Sequence, residues 1–368
     1  MCGARAPRRT AGMSATPPQT PDQLVERLFG ATLGALELLS VYLGWRLDLY
    51  RVLAQEGHSA PELADRAGID RRYAREWLEQ QATAGFLTVD DVDLDADARR
   101  YGLPPEHAEV LVDPESLAHV APFAAMVVGL ADALPEVVAA YRTGAGVPYT
   151  RFGADFRDGQ GAINRPVYHH DLAGWIAALP DVDARLRAMP SACIADLGCG
   201  QGWSTIALAR AYPGCEVVGV DSDEASIADA AERARAAGVD VSFVSRDAGL
   251  LDGTVDLVCM FEALHDLAKP VEVLRAARRA LAPGGALLVV DERVAATFTA
   301  PGDEVERLMY GWSVLHCLPA SRAETPSAAL GTVLRAATVE RLAADAGFAN
   351  LEVLDVENDF FRFYRLNP

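Results

Sequence analysis

From Cys193 onward the chain changes period. Short apolar runs at Cys193 to Leu197, Val217 to Val220, Val241 to Val244, Val255 to Met260 and Ala286 to Val290 alternate with helical stretches at Trp203 to Ala211, Asp223 to Ala237 and Val271 to Leu281. Short, largely apolar runs suit strands buried on both faces, and the intervening helices make those strands parallel neighbours. After a further helix at Val339 to Ala346, the runs Leu351 to Leu354 and Phe360 to Leu366 predict a closing hairpin pair. The fold class expected is α/β.

The first half reads differently, and 368 residues suffice for two domains, each with its own core. Residues 1–20 carry Arg5, Arg8 and Arg9 with no acid and no apolar stretch, then Pro17 and Pro18. They predict a disordered leader, with Met13 as another candidate start, and no secretory signal. From Pro21 the pattern is helical, with Leu24, Leu28, Phe29, Leu33 and Leu36 in one apolar stretch. Ser59 and Glu62 form a capping box, Gly68 breaks that helix, and Asp70 caps the next, Arg71 to Ala84. Helix, glycine turn, helix is helix-turn-helix spacing, and the acid run Asp90 to Asp97 would follow as a wing. Arg71, Arg72 and Arg75 stand against Glu76 and Glu79, so a packing or dimerisation role is preferred over DNA reading. Residues 104–189 predict helices, including Ser116 to Tyr141 and Ile163 to Leu179. The Gly144 to Gly153 segment between them, carrying Tyr149, Arg151 and Phe152, is a candidate pocket cover.

Charge narrows the partners. Lys and Arg number 33 against 52 Asp and Glu, a net of −19 that repels phosphate backbones and anionic lipid. The run Val120 to Ala131 contains Pro122 and Gly129 and is too short to cross a bilayer, so no membrane partner is expected. Six scattered cysteines without a CxxC pair fit reduced thiols of a cytoplasmic protein.

The chemistry concentrates behind the first strand. Asp196 leads into Leu197-Gly198-Cys199-Gly200-Gln201-Gly202 and a helix, placing a close-approach loop at the carboxyl edge of the sheet. A dinucleotide fingerprint would need glycine where Trp203 stands, and no lysine follows for a P-loop. Asp221 ends the second strand, where a carboxylate can accept both ribose hydroxyls. Asp247 ends the third, placed to accept from an adenine amino group.

Asp196-Leu197-Gly198-Cys199-Gly200-Gln201-Gly202, Asp221, Asp247 and Leu281-Ala282-Pro283-Gly284-Gly285 together resemble the successive motifs of class I S-adenosylmethionine-dependent methyltransferases. The resemblance covers about residues 190 to 366. It implies a Rossmann-like seven-stranded sheet whose last strand is antiparallel. It also implies that Asp196, Gly198, Gly200, Asp221, Ser222, Asp247, Ala248 and Phe261 bind S-adenosylmethionine. The helix-turn-helix unit resembles the winged-helix dimerisation domain of small-molecule methyltransferases. The organisation expected is therefore a leader at 1–20, a mainly helical winged-helix domain at 21–103 that forms a homodimer, a helical linker and pocket cover at 104–189, and the cofactor-binding domain at 190–368.

The fourth strand ends in Phe261-Glu262-Ala263-Leu264-His265-Asp266, where the fold would face the transferring methyl group, so His265 is a candidate general base. A similar Leu-His-Asp run occurs in plant-type O-methyltransferases. His316 supplies a second histidine, and two histidines with one carboxylate can form a facial metal triad. The stretch also resembles the α-keto-acid β-carbon methyltransferases of nonribosomal-peptide pathways, which implies an iron or zinc ion on His265, Asp266 and His316 that binds the substrate. Arg151 is the candidate partner for the carboxylate of that small-molecule acceptor. C-methylation of a 2-oxo acid is the leading expectation. A metal-free O-methyltransferase using His265, or a cofactor-sensing transcriptional regulator, are the alternatives.

Overall fold

The computed structural model describes residues 19–188 and 191–368. The leader expected at 1–20 lies outside the described residues except for Gln19 and Thr20. The described residues divide into two compact units, 19–36 and 37–368. In the first, helix α1 (Pro21–Arg46, continuing into the second unit) exposes Leu24, Val25, Leu28, Phe29 and Leu33.

The second unit opens with α2 (Leu49–Leu53), α3 (Ala60–Ala67) and α4 (Arg71–Thr83). The Ser59–Glu62 capping box forms, Gly68 closes α3 at φ 66°, and Asp70 accepts from the Arg72 and Tyr73 amides, as expected. The wing is the pair β1 (Thr88–Val89) and β2 (Tyr101–Gly102), with the acid run looped between them. Leu49, Leu63, Trp77, Leu78 and Tyr101 make its core. On α4, Arg71 pairs with Asp65 and Arg72 with Glu76, so both guanidiniums are already matched by acids.

Next come α5 (Pro105–Leu111), α6 (Phe123–Thr143), α7 (Gly153–Ala177) and α8 (Pro180–Ala188). Two boundaries differ from expectation: α6 begins at Phe123, and α7 starts ten residues earlier than the predicted Ile163. The reason is packing. Gly129 and Gly159 let the two helices approach so closely that an added methyl would lie 2.6 Å from the Phe152 carbonyl oxygen or 2.8 Å from Met126. Tertiary contact thereby overrides the low helix propensity of glycine. At 21 residues, α6 is longer than the apolar run in the sequence and, like α1, is long and apolar enough by composition to cross a membrane. In this fold α6 contributes Met126, Leu130, Ala133 and Val137 to a core instead.

The remainder mostly alternates strand and helix: β3 (Cys193–Leu197), α9 (Trp203–Ala211), β4 (Glu216–Asp221), α10 (Glu224–Ala237), β5 (Ser242–Ser245), β6 (Val255–Phe261), α11 (Pro270–Ala280) and β7 (Leu281–Glu292), then the helices α12 (Glu304–Trp312), α13 (Leu318–Ser321) and α14 (Ala336–Ala346) and the hairpin β8 (Asn350–Val353) and β9 (Phe361–Asn367). The sheet runs β5-β4-β3-β6-β7-β9-β8, parallel from β5 to β7, with β9 antiparallel to both neighbours. One face packs Val258, Met260, Leu287 and Val289 against α11 and α14. The other packs Ile194, Leu257, Cys259 and Leu288 against α7, α8 and α9. The strand order reverses between β3 and β6, which opens a crevice at their carboxyl ends.

Gly129→Ala should cost about 1–3 kcal/mol, since backbone of the next helix must move to admit the methyl. Urea denaturation measures the loss.

Candidate active site

The crevice is a cleft of about 830 Å³. Its floor is the turn after β3. Gly198, Gly200 and Gly202 all have positive φ, and a methyl on Gly198 would lie 2.5 Å from the Ala263 Cβ. Asp221, at the end of β4, accepts from the Gly200 amide at 2.8 Å and the Asp223 amide at 2.9 Å. One carboxylate thus ties two strand-end loops together and keeps acceptor capacity to spare. Asp247 accepts from the Gly249 amide at 2.7 Å.

Of the expected cofactor residues, Gly198, Gly200, Asp221, Ser222, Asp247, Ala248 and Phe261 line this cleft. Asp196 does not. It is buried beneath the loop, where its Oδ2 accepts from Ser204 Oγ at 2.6 Å and Thr205 Oγ1 at 2.7 Å. Burial lifts its carboxyl from 3.8 to about 6, against the opposing pull of those two hydroxyls.

Arg151 is also elsewhere. It is paired with Glu136 at 2.9 Å, both side chains well exposed, because the turn that buries Phe152 points Arg151 outward. Tyr149 and Thr150 of the same segment do line the cleft, as does Arg157 of α7, which faces Asp223 and Asp229. Gln201 donates to Asp158 and Asp229, both at 2.9 Å, and so fastens the glycine loop to α7 and α10.

His265 is buried in a short turn after β6. Its Nδ1 lies 2.8 Å from Asp291 Oδ1 and 3.3 Å from Glu292 Oε2, and its Nε2 lies 3.5 Å from Asp266 Oδ1. Burial pulls its pKa down, yet Glu292, Asp291 and Asp266 together hold it well above the ordinary value. Candidate ligand atoms of His265, Asp266 and Cys317 lie within 4.8 Å of one another, as do those of His265, Asp291 and Glu292. His316 belongs to neither cluster, contrary to the expected triad. Its ring stacks on Phe156 at 4.1 Å and meets Phe152 at 4.4 Å, and burial lowers its pKa to about 3. Within the segment Ser313–Cys317, Cys317 reaches the cluster while the His316 ring packs among the aromatics, its Nδ1 3.4 Å from Cys317 Sγ.

Glu262 was not singled out in the sequence. It lines the cleft at φ 51°, within 3.4 Å of the Tyr168 hydroxyl, and burial raises its carboxyl to about 7. Only its place at a strand end could have flagged it.

Residues 191–328 match the family model of a methyltransferase domain, and residues 34–113 that of an Rv2258c-like winged HTH domain. A trans-aconitate 2-methyltransferase of Variovorax paradoxus is 37% identical over 106 residues, covering 29% of this chain and 40% of that protein. The chain spans about half the length of the curated relatives it matches. Among solved structures, an O-methyltransferase family protein from Burkholderia thailandensis superposes with TM-score 0.67 at 18% identity, covering 95% of this chain and 98% of that one. Human N-acetylserotonin methyltransferase in complex with SAM gives 0.68 at 16% identity, covering 95% and 99%. At such identities the likeness is one of fold.

Between about pH 4 and pH 6 the folded chain holds the Asp196 proton while the unfolded chain releases it, so stability falls as pH rises through that window. Asp196→Asn should remove a decline of about 3 kcal/mol from the pH profile of unfolding in urea.

Proposed function

We propose, for a chain that carries a methyltransferase domain behind a winged helix-turn-helix domain, that it methylates the β-carbon of a small 2-oxo acid with S-adenosylmethionine and a divalent metal ion. The observation that carries the finer part is the charge around His265. Three buried or half-buried carboxyls stand within 3.5 Å of its ring nitrogens, more than one imidazolium offsets, and burial raises those of Glu292 and Asp266, so the cluster must take up protons or a cation. The donors fit one. Nitrogen, oxygen and sulfur from His265, Asp266 and Cys317 suit zinc or iron, and Asp266 Oδ1 has no hydrogen-bond partner. Asp291 on the Nδ1 side is the outer carboxylate that orients a ligating imidazole. When bound, such an ion supplies Lewis acidity to the keto and carboxylate oxygens of the acceptor.

The cofactor supplies a sulfonium methyl, and the chain holds it. Asp221 takes the ribose hydroxyls, Asp247 with the Ala248 amide reads the adenine, and glycine at 198 and 200 permits close approach. Phe261 and Tyr168 wall the transfer site, and Glu262 takes up the β-proton, its carboxyl poised near neutrality. Positioning in the cleft does the rest.

A metal-free O-methylation is the second reading, favoured by the 2.8 Å His265–Asp291 contact that would orient a catalytic base. The exposed apolar face of α1 supports homodimerisation, and the free state of all five described cysteines supports a reducing, cytoplasmic location.

Mass spectrometry of products from a panel of 2-oxo acids should show one added methyl on the β-carbon. Exhaustive chelation should abolish turnover; activity that survives it leaves the His265 base reading in place. Asp266→Ala should lower bound metal at least about tenfold with affinity for S-adenosylhomocysteine retained. Asp221→Ala should weaken that affinity about tenfold or more by calorimetry.

A further inference from the structure

We propose that a second cavity, beside the cofactor cleft, binds a small multiply charged oxyanion. It measures about 510 Å³, lies between α7, α9 and α10, and shares Tyr168 and Trp203 with the cleft as common walls. Arg165, Arg210 and Arg233 line it together with His169, against Glu115 as the single lining carboxylate. In a chain of net charge −19 this is a local reversal of sign.

The guanidiniums are preorganised but not used up. Trp203 holds Arg165 at 4.5 Å and Arg233 at 5.6 Å from its ring, contacts that fix both groups without consuming their N–H donors. Arg165 meets Glu115, which His169 also faces at 3.7 Å. Arg233 Nη1 is buried with no hydrogen-bond partner, and the two carboxylate neighbours of this guanidinium stand off beyond hydrogen-bond distance, Asp229 at 3.8 Å and Asp158 at 3.9 Å. The Arg210 side chain, exposed at the cavity, makes no hydrogen bond or ion pair among the described residues. Arginines serving only to clamp three helices would spend these donors on the helices. The open Arg210 fork, with the donors that Arg165 and Arg233 keep beyond these contacts, faces one space and matches the oxygens of a phosphate group or a compact polycarboxylate, which share this chemistry.

Calorimetry on the full chain, in low-salt buffer free of both anions, should show saturable binding of inorganic pyrophosphate, citrate or both. Tighter binding of pyrophosphate assigns a phosphate-bearing ligand, and tighter binding of citrate a carboxylate one. Arg210→Ala should weaken the affinity about tenfold or more, while Arg142→Ala, which removes one exposed charge from α6, should leave it unchanged. Binding of S-adenosylhomocysteine should persist in both variants. No saturable binding of either anion overturns the proposal, and so does equal weakening in the two variants or an unchanged affinity in Arg210→Ala.

Discussion

The reversal of strand order between β3 and β6 is the constraint on which the rest turns. Helices to either side of that point leave in opposite directions, so the carboxyl ends of the central strands stay uncovered while both sheet faces are packed. The residues proposed to hold the cofactor, Gly198, Gly200, Asp221, Asp247, Ala248 and Phe261, stand at the ends of these strands or on the loops that follow them. The Asp221 carboxylate then joins two of these loops by accepting from Gly200 and Asp223, so the glycine turn is held by its neighbour strand as well as by its own conformation.

Around this edge the charges are segregated. Acids gather at the end of β6, where Glu262, Asp266, Asp291 and Glu292 surround His265, and arginines gather behind Trp203, where Arg165 and Arg233 flank the indole. Burial makes the first group costly unless a cation joins it, and makes the second receptive to an anion. The wall formed by Tyr168 and Trp203 separates the two environments within one layer of side chains.

Most of the C-terminal half was legible because its signals are local. A strand buried on both faces must be apolar throughout, as Val255–Phe261 is but for Asp256, and a sharp turn against a ligand must be glycine. The caps at Ser59 and Asp70 were legible for the same reason. Less could be read between residues 104 and 189. There a glycine stands for close helix packing as readily as for a turn, and Gly159 inside α7 carries no mark that distinguishes the two.

The linear order of residues was thus enough to settle the parallel sheet, its glycine loop and the acids at successive strand ends, since each follows from the backbone preferences and burial of a few neighbouring residues. Folding alone settled the direction of individual side chains. Arg151 turned to Glu136 and away from the cleft, Cys317 took the place expected of His316, and Asp196 sank beneath the loop it precedes. Those outcomes depend on partners 8 to more than 50 positions away. Period and spacing show which face of an element is apolar, and they do not say which partner a given polar side chain will take.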